Sequence, residues 1–327
     1  MIITKTPYRI SLFGGGTDLP EWYQQNGGAV LAFSIDKYCY ILARHLPPYF
    51  DYRFRLSYSK VETCKFVDEI KHPALREAIR NYAPDKNLEI NHHSDLPARS
   101  GIGSSSAFAV GLVSAISQIL GKKLNQISLA DEAIKLEQEF IGESVGSQDQ
   151  ITCSIGGINE IEFGGPSNWS AHPIVLKPEK IKEIEDRCFL VFSGVSRISS
   201  EIQSGLTDGL MNKKVELNEL RLLVYKAKEI LEQNRNLDEF GELLKLSWKL
   251  KKSMNTMSTT SVLDDFIDQG FKAGAIGAKV LGAGGGGFIL FWLKEGQKKD
   301  FSNRFNIGTH VPFEIDFEGS TVLESTL

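Results

Sequence analysis

Residues 96–107 are Leu96-Pro97-Ala98-Arg99-Ser100-Gly101-Ile102-Gly103-Ser104-Ser105-Ser106-Ala107, between a predicted strand over residues 88–92 and an apolar segment that begins at Phe108. Gly101 and Gly103 carry no Cβ, so the backbone there can turn tightly and approach a ligand closely. Ser104 and Ser105 are favoured N-cap residues, which predicts that a helix over residues 105–120 begins here. The unpaired N–H groups and positive dipole of a helix start form an anion site, and we expect the anion to be a phosphate.

This turn has a simpler interpretation, in which a Gly/Ser loop does no more than cap a helix. The proline before the turn, its small residues and the apolar helix after it favour the phosphate site. The turn is not a Walker A loop, because no Gly-Lys-Ser/Thr follows, and it lacks the third glycine of a dinucleotide-binding fingerprint. Its three consecutive serine hydroxyls also offer oxygen ligands for a hard cation such as Mg²⁺.

The composition is that of an ordinary globular protein, with 42% hydrophobic and 24% charged residues among 327. This length accommodates two domains, which we expect at residues 1–175 and 176–327. The net charge of −4 argues against a nucleic-acid partner. Four scattered cysteines without a CxxC pair predict a cytoplasmic protein, as does the absence of an apolar leader after Met1. No apolar run has the length and character of a membrane span, so no membrane partner is expected.

A second glycine-rich stretch follows the first predicted strands. We expect strands at residues 2–3 and 10–13, with Pro7 interrupting the pairing between them. The next residues are Gly14-Gly15-Gly16-Thr17-Asp18, and three consecutive glycines exceed what a simple turn requires. The polar side chains around them are Arg9, Ser11, Thr17 and Asp18. This pattern indicates a place where a ligand approaches the backbone, the alternative being a flexible hairpin loop.

Two carboxylates form a third candidate feature. Asp149 follows the glycine-containing loop of residues 142–146 and enters an apolar segment, which predicts partial burial. A partly buried carboxylate can act as a base toward a substrate hydroxyl, although an ordinary helix N-cap is the alternative. Glu137 stands on a mostly apolar stretch near the end of a helix that Ser128 is expected to cap. Such a carboxylate is normally solvated, but turned inward it is a candidate metal ligand.

The second half of the chain alternates predicted strands and helices around another glycine run. The expected strands cover residues 188–192, 278–281, 288–293 and 311–317, and the expected helices cover residues 199–204, 215–233, 237–254 and 262–272. The run Gly282-Ala283-Gly284-Gly285-Gly286-Gly287 stands between two apolar strands. A tight loop made of backbone is therefore expected there, and a flexible linker is not.

The order of these stretches resembles the GHMP kinases, the family of galactokinase, homoserine kinase, mevalonate kinase and phosphomevalonate kinase. Motif one would be residues 7–18, motif two residues 97–107 and motif three residues 279–287, so the resemblance spans nearly the whole chain. It implies a two-domain α+β fold, with an N-terminal domain like domain 2 of ribosomal protein S5 and a C-terminal ferredoxin-like domain. Nucleotide and sugar would lie in the cleft between the two domains.

Motif one departs from the galactokinase pattern, which has Gly-Glu-His where this chain has three glycines, so galactose is in doubt as the acceptor. The stretch Arg9-Ile10-Ser11-Leu12-Phe13-Gly14-Gly15-Gly16-Thr17-Asp18-Leu19-Pro20 is similar to D-glycero-D-manno-heptose 7-phosphate kinases and to fucokinase-like enzymes. Ser57-Tyr58-Ser59-Lys60 and Ile70-Lys71-His72-Pro73 also resemble the heptose kinases. The implied reaction is transfer of the ATP γ-phosphoryl group to the anomeric hydroxyl of the heptose 7-phosphate, which gives the 1,7-bisphosphate.

The resemblance also implies a role for each motif. The expected ATP-binding residues are Pro97, Arg99, Gly101, Gly103, Ser104, Ser105 and Ser106, and the expected Mg²⁺ ligands are Ser105 and Glu137. Asp149 would accept or orient the hydroxyl proton, and Arg9 would orient Asp149 or stabilise the transferred charge. The expected sugar-binding residues are Gly15, Gly16, Thr17, Asp18, Gly284 and Gly285. Arg197 is the first choice for the sugar's own phosphate, ahead of Arg53, Arg55 and Arg99.

Two other functions compete with this one. A fucokinase-like or other hexose kinase would phosphorylate a sugar that carries no phosphate. A sugar-sensing regulator of the same fold, without turnover, should lack the catalytic carboxylate or the cation ligands, whereas Asp149 and Glu137 are both present. The sequence leaves the oligomeric state open, with a homodimer among the alternatives.

Overall fold

The protein is described by a computed structural model that covers residues 1–165, 168–195, 210–233 and 235–325. Arg197 and the helical turn expected at residues 199–204 lie outside these ranges. The strands are β1 (Ile2–Phe13), β2 (Gly28–His45), β3 (Phe54–Ser57), β4 (Val61–Cys64), β5 (Leu88–Ser94), β6 (Ile158–Phe163), β7 (Trp169–Pro173), β8 (Cys188–Phe192), β9 (Gly277–Val280), β10 (Phe288–Trp292), β11 (Thr309–His310), β12 (Ile315–Asp316) and β13 (Thr321–Ser325). The α-helices are α1 (Pro20–Asn26), α2 (Pro73–Tyr82), α3 (Ser104–Ile119), α4 (Gln126–Lys135), α5 (Gln148–Ile155), α6 (Pro178–Arg187), α7 (Lys214–Glu232), α8 (Leu237–Met254), α9 (Ser261–Ala273) and α10 (Lys298–Arg304).

The larger sheet is organised around β1 and β2, which pair along most of their length. Its strand order is β13-β1-β2-β5-β3-β4, and β6 and β12 also pair with β2 while β7 pairs with β6. The first eight residues of β2 are all buried, whereas its second half alternates between buried and partly exposed residues. This change is expected for a strand that is covered on both faces at one end and on one face at the other.

Pro7 does not divide β1 into two short strands, so that prediction was wrong. The strand runs through Pro7, and its register with β2 shifts between Pro7 and Tyr8. Proline cannot donate a ladder hydrogen bond, but a bulge accommodates it. One continuous strand therefore carries Arg9 and Ser11 to the end of the sheet where the candidate site lies.

Helix α3 packs against β1 and β2 and is buried on nearly every side. The Thr4 hydroxyl on β1 donates to the Gly111 carbonyl of α3 over 3.1 Å, at a point where the helix has no side chain to keep them apart. Helices α5 and α7 also contact β1 and β2. Because α3 is apolar all round, its burial fixes the position of its N-terminal turn relative to β1.

Two helix starts differ from their predicted caps. The N-cap of α3 is Gly103, which has a left-handed φ of 72°, and the serines lie inside the first turn instead of capping it. Helix α4 begins after Asn125, whose side chain accepts a hydrogen bond from the Ser128 backbone N–H, so Ser128 is not the cap. Asparagine is among the strongest N-cap residues, which explains the second difference.

The smaller sheet has the order β11-β8-β10-β9, and each of its pairings is antiparallel. Helices α8 and α9 contact β9. A second apolar core fills this part, with Phe189 and Phe291 packed against Phe301 on α10. A four-stranded antiparallel sheet with packed helices agrees with the ferredoxin-like domain that the resemblance implies.

The last strands return to the larger sheet. Strand β12 pairs with β2, and β13 pairs with β1. The strand predicted at residues 311–317 was wrong, because only Ile315–Asp316 of that range pairs and the final strand is β13. The boundary at residue 175 stays a prediction, and the pairing shows that β12 and β13 belong to the sheet formed by the residues before this boundary.

Candidate active site

The turn of residues 95–103 joins β5 to α3 and is held by hydrogen bonds of its own. The Ser100 hydroxyl donates to the Pro97 carbonyl over 2.6 Å, and the Arg99 backbone N–H donates to the Ser104 hydroxyl over 3.1 Å. Arg99 adopts a left-handed φ of 60°, which is uncommon for a residue with a side chain. The turn thereby presents the start of α3, with its unpaired N–H groups, toward a cavity.

Gly101 joins this turn to motif three. Its φ is +83°, and a Cβ on it would lie 2.5 Å from the Leu281 carbonyl oxygen. The contact is reciprocal, because a Cβ on Gly282 would lie 2.5 Å from the Gly101 Cα. The Phe288 N–H also donates to the Ser100 carbonyl over 3.0 Å. Motifs two and three therefore pack backbone to backbone, so that the two sheets meet at the turn of residues 95–103.

Arg9 joins the Asp149 carboxylate to the turn that precedes α3. Its Nε donates to Asp149 Oδ1 over 2.7 Å, and its Nη2 donates to Asp149 Oδ2 over 2.5 Å. Its remaining terminal nitrogen donates to the Gly101 carbonyl over 2.6 Å. Arg9 is 3% exposed, whereas the Asp149 side chain is 22% exposed. The bidentate pair therefore fixes the plane of the Asp149 carboxylate and leaves part of it open to the cavity.

Asp18 is a second carboxylate in the same cavity. Its oxygens accept from the Gly16 N–H over 2.8 Å and from the Gln148 N–H over 3.4 Å. Burial raises its pKa, and the nearby Asp149 carboxylate raises it further. Gly146 lies directly against it, since a Cβ there would be 1.9 Å from Asp18 Oδ2. The glycine in this loop is thus required for Asp18 to stand beside Asp149.

Glu137 lies in a π-helical turn, Leu136–Ile141, and is 1% exposed. Its oxygens accept hydrogen bonds from the Ser105 hydroxyl over 2.9 Å and from Gln150 Nε2 over 2.6 Å. Burial raises its pKa from 4.5 to about 7, although hydrogen bonds from Ser106, Ser105 and Gln150 oppose the rise. A buried carboxylate beside a serine hydroxyl fits the donor set of a magnesium site.

The fit to Mg²⁺ is that of a shared site. Among the residues that the structure describes, no three His, Cys, Asp or Glu residues cluster in a way that could hold a metal ion alone. Mg²⁺ in phosphoryl-transfer sites is usually bound by one or two protein oxygens, with phosphate oxygens and waters completing the shell. Ser105 and Glu137 would supply the protein's part.

Replacing Glu137 with glutamine should stabilise the metal-free protein at pH 8. The folded state holds a proton on Glu137 that the unfolded state releases between pH 4.5 and 7, so wild-type stability falls as pH rises through that window. Above pH 7 this linkage lowers the free energy of unfolding of the wild type by roughly 3 kcal/mol at most. Thermal unfolding in EDTA at pH 6 and 8 measures it, with the neighbouring exposed Glu139→Gln as control. A Glu137→Gln variant that is less stable than the wild type at pH 8 would contradict the raised pKa of Glu137 in the folded protein.

These groups line one cavity of about 920 Å³. It is enclosed by the first part of the chain, which builds most of the larger sheet, and by the second part, which builds the smaller sheet and its helices. The side that carries the carboxylates includes Arg9, Ser11, Gly15, Gly16, Asp18, Gln148 and Asp149, and the turn contributes Arg99, Gly101, Gly103, Ser104, Ser105 and Ser106. The second part contributes Lys251, Met254, Asn255, Gly282 and Ala283. A volume of this size accommodates a nucleotide together with a small acceptor.

Aromatic rings form another part of the cavity wall. The His72 ring lies 4.8 Å from the Tyr58 ring and 5.1 Å from the Phe108 ring, and His92 lies 5.0 Å from Phe108. Burial lowers the pKa of His72 and lowers that of His92 to about 4. Both imidazoles are therefore neutral at pH 7. His72 Nδ1 is buried and has no hydrogen-bond partner within the described ranges.

Several residues expected at the site do not reach the cavity. Thr17 is fully buried, and its hydroxyl donates to the carbonyls of Gly14 and Ala29, so it shapes the glycine turn. Gly284 and Gly285 pack against Ser258, and the Gly285 N–H donates to the Ser258 carbonyl. This part of motif three therefore joins two loops and does not line the cavity. Gly282 and Ala283 line the cavity instead, and Pro97 acts through its carbonyl.

The arginines considered for the sugar phosphate differ in whether they line the cavity. Arg53 and Arg55 do not line the cavity. Arg53 donates to Asn87 and to the Pro84 carbonyl, and Arg55 pairs with Glu89. Arg99 does line it. Arg197 lies outside the described residues, and its role stays a prediction.

Sequence reasoning missed Lys251, Gln148 and the aromatic cluster as cavity residues. Lys251 lies in the last turn of an amphipathic helix, where lysine is common for reasons of helix stability, so nothing distinguished it. Gln148 precedes Asp149, and its adjacency to a candidate base was a usable signal. Its Oε1 atom is buried without a partner in the described part of the chain, and the residue lines the cavity.

Comparison with known proteins shows the family to which the chain belongs. The family model for the GHMP kinases N terminal domain matches residues 68–157, and the model for the GHMP kinases C terminal matches residues 227–307. The chain is 27% identical to a D-glycero-alpha-D-manno-heptose 7-phosphate kinase from Campylobacter jejuni, over 91% of each protein. It is 26% identical to a bifunctional fucokinase/GDP-fucose pyrophosphorylase from Arabidopsis thaliana, over 94% of this chain and 31% of that protein.

The fold has relatives among solved structures. A D-glycero-D-manno-heptose 1-phosphate kinase from Bacteroides thetaiotaomicron superimposes with a TM-score of 0.81, at 22% identity and over the whole of both chains. None of the helices in the described ranges combines the length and apolarity that crossing a bilayer requires. The matched domains and this fold identify the chain as a member of the GHMP kinase family, whose members are ATP-dependent phosphotransferases.

Proposed function

We propose that this kinase transfers the γ-phosphoryl group of ATP to the anomeric hydroxyl of D-glycero-D-manno-heptose 7-phosphate, giving the 1,7-bisphosphate and ADP. One observation carries the proposal: the phosphate-binding turn and the Asp149 carboxylate line one cavity and are joined through Arg9. Phosphoryl transfer depends mainly on positioning and charge neutralisation, and this arrangement supplies both.

The nucleotide half of the site would hold Mg·ATP. The backbone N–H groups at the start of α3 and the hydroxyls of Ser104, Ser105 and Ser106 would bind the phosphates. Ser105 and Glu137 would hold Mg²⁺, which neutralises phosphate charge when bound. The neutral rings of His72, His92 and Phe108 offer a surface against which a nucleobase can stack.

The acceptor half would hold the sugar. Asp149 would take the proton of the anomeric hydroxyl as that oxygen bonds to the γ-phosphorus and the bond to the ADP oxygen breaks. Arg9 keeps the carboxylate in place through its two hydrogen bonds. Asp18 and the side-chain-free Gly15 and Gly16 would contact further sugar hydroxyls and leave room for a seven-carbon acceptor.

The choice of heptose rests on the Campylobacter relative, which covers almost the whole chain. The sugar's own phosphate requires a cationic partner, for which Arg99 in the cavity wall and Arg197 are the candidates. A fucokinase-like or other hexose kinase is the second candidate, supported by the match to the Arabidopsis fucokinase. The proposal includes ATP and Mg²⁺ as cofactors and a cytoplasmic setting, and it leaves a homodimer and a monomer as alternatives.

A panel of acceptors tests the substrate. ADP release is measured with Mg·ATP and, separately, heptose 7-phosphate, the unphosphorylated heptose, L-fucose, galactose and mevalonate. The proposal expects kcat/KM to be highest for heptose 7-phosphate, by at least about tenfold over the unphosphorylated heptose. Preference for a sugar without phosphate would favour the hexose kinase. Binding of sugars without ADP release from any of them would favour a sugar-sensing regulator.

A further inference from the structure

Lys251 is a cavity residue to which the site described so far gives no role. It lies in the last turn of α8, in the second part of the chain, and lines the cavity. Its Nζ donates to the Gly282 carbonyl, whose backbone packs against Gly101 of the phosphate-binding turn. An ammonium group has three donors, so donors remain for a ligand after the Gly282 carbonyl takes one.

Charged groups of both signs surround the Lys251 ammonium. Arg9 on β1 and Lys279 on β9 repel it, while Asp18 after β1 and Asp149 on α5 attract it. The Lys279 ammonium is already engaged, because it donates to the carbonyls of Ser11 and Leu12 over 2.9 and 2.7 Å. Lys251 therefore stands between the turn expected to hold the nucleotide phosphates and the carboxylates expected to hold the acceptor.

A phosphoryl group that moves from the nucleotide at the turn to an acceptor at the carboxylates would pass Lys251. We propose that the Lys251 ammonium contacts the γ-phosphoryl group of ATP and neutralises its charge during transfer. This inference rests on the proposed function for the identity of the moving group. The cation comes from the second part of the chain, so its contact also depends on the packing of motif three against motif two.

The protonation of Lys251 gives the inference a pH signature. Burial, and next the Arg9 guanidinium, lower the pKa of Lys251 to about 8, although Asp18 and Asp149 act in the opposite direction. The ammonium is present below that pKa and lost above it, so kcat/KM for ATP should fall as pH rises through about 8. Lys251→Arg keeps its charge at any such pH and should move this fall to higher pH.

Binding of Mg·ATP and Mg·ADP provides a test that needs no acceptor. Titration calorimetry at pH 7 should show that Lys251→Met weakens ATP binding by at least about tenfold and ADP binding by less than about twofold, since ADP lacks the γ-phosphoryl group. Lys251→Arg should restore part of the difference. Lys252→Met is the matched control, because Lys252 is the next residue of the same turn and pairs with Asp264.

The outcomes separate the two proposals. Equal effects on ATP and ADP, or no effect on either, would overturn the role of Lys251 and indicate a residue that only positions motif three. Turnover should follow binding, with kcat of Lys251→Met reduced at least about tenfold and the KM of the acceptor little changed. If the wild-type protein phosphorylates none of the acceptors, the proposed function fails, and the comparison of ATP with ADP still decides the role of Lys251.

Discussion

Replacing Asp149 with asparagine is expected to lower kcat by at least about 100-fold, within the range for loss of a general base. Asparagine has nearly the same shape, but it cannot accept the hydroxyl proton. It also returns only one acceptor oxygen to Arg9, which donates to both carboxylate oxygens in the wild type. Initial rates of ADP release at saturating heptose 7-phosphate and ATP measure the effect.

The protein should still fold, because Arg9 keeps its bond to the Gly101 carbonyl and Asp149 is partly exposed. Circular dichroism and thermal unfolding establish this, and a fall of a few degrees in Tm is expected from weakening a buried ion pair. Asp85→Asn, at an exposed position in a loop, is the control for the change of charge. Near-wild-type turnover by a folded Asp149→Asn protein would remove Asp149 from the mechanism.

Replacing Gly101 with alanine is expected to weaken Mg·ATP binding at least about 100-fold, or roughly 2.8 kcal/mol. The new Cβ would lie 2.5 Å from the Leu281 carbonyl oxygen and 3.3 Å from the Gly282 nitrogen, so motifs two and three must separate. Gly101 also accepts from Arg9, and its displacement would carry Arg9 and Asp149 with it. Calorimetry with a non-hydrolysable ATP analogue measures the loss.

Gly121 offers a matched control for Gly101→Ala. Its φ is +71°, close to the +83° of Gly101, but a Cβ there would meet nothing within 4 Å. Gly121→Ala should therefore cost only the strain of a left-handed alanine, about 1 kcal/mol of stability, and leave ATP binding unchanged. Equal losses of ATP binding in the two variants would show that backbone strain, and not the contact between the motifs, explains the Gly101 result.

Much of this fold could be predicted because its signals are local. The long helices α7, α8 and α9 lie within two residues of their predicted bounds, since apolar periodicity marks them throughout. The turn before α3 was also predictable, because glycine and serine report backbone geometry directly. Pairings between distant segments left no such signal, and the return of β12 and β13 to the first sheet follows from long-range packing.

The candidate site divides in the same way. The family resemblance implied that Arg9 orients Asp149 or stabilises the transferred charge, but only the structure shows that the two side chains form a bidentate pair across 140 positions of sequence. The Ser105–Glu137 hydrogen bond likewise depends on burial of the turn that follows α4. Thr17 was expected to bind the sugar, but its hydroxyl donates to the backbone carbonyls of Gly14 and Ala29 instead. A sequence shows that a polar group is present, but tertiary packing decides where it points.

Phosphorus-31 NMR of the reaction is the most direct test of phosphoryl transfer in this cavity. The wild-type protein is mixed with Mg·ATP and heptose 7-phosphate, and the spectrum is followed with time. The account predicts loss of the γ-phosphate signal, appearance of ADP and a new phosphate signal coupled to the anomeric proton, with Asp149→Asn producing it at least about 100-fold more slowly. An unchanged ATP spectrum, or inorganic phosphate as the only new signal, would contradict it.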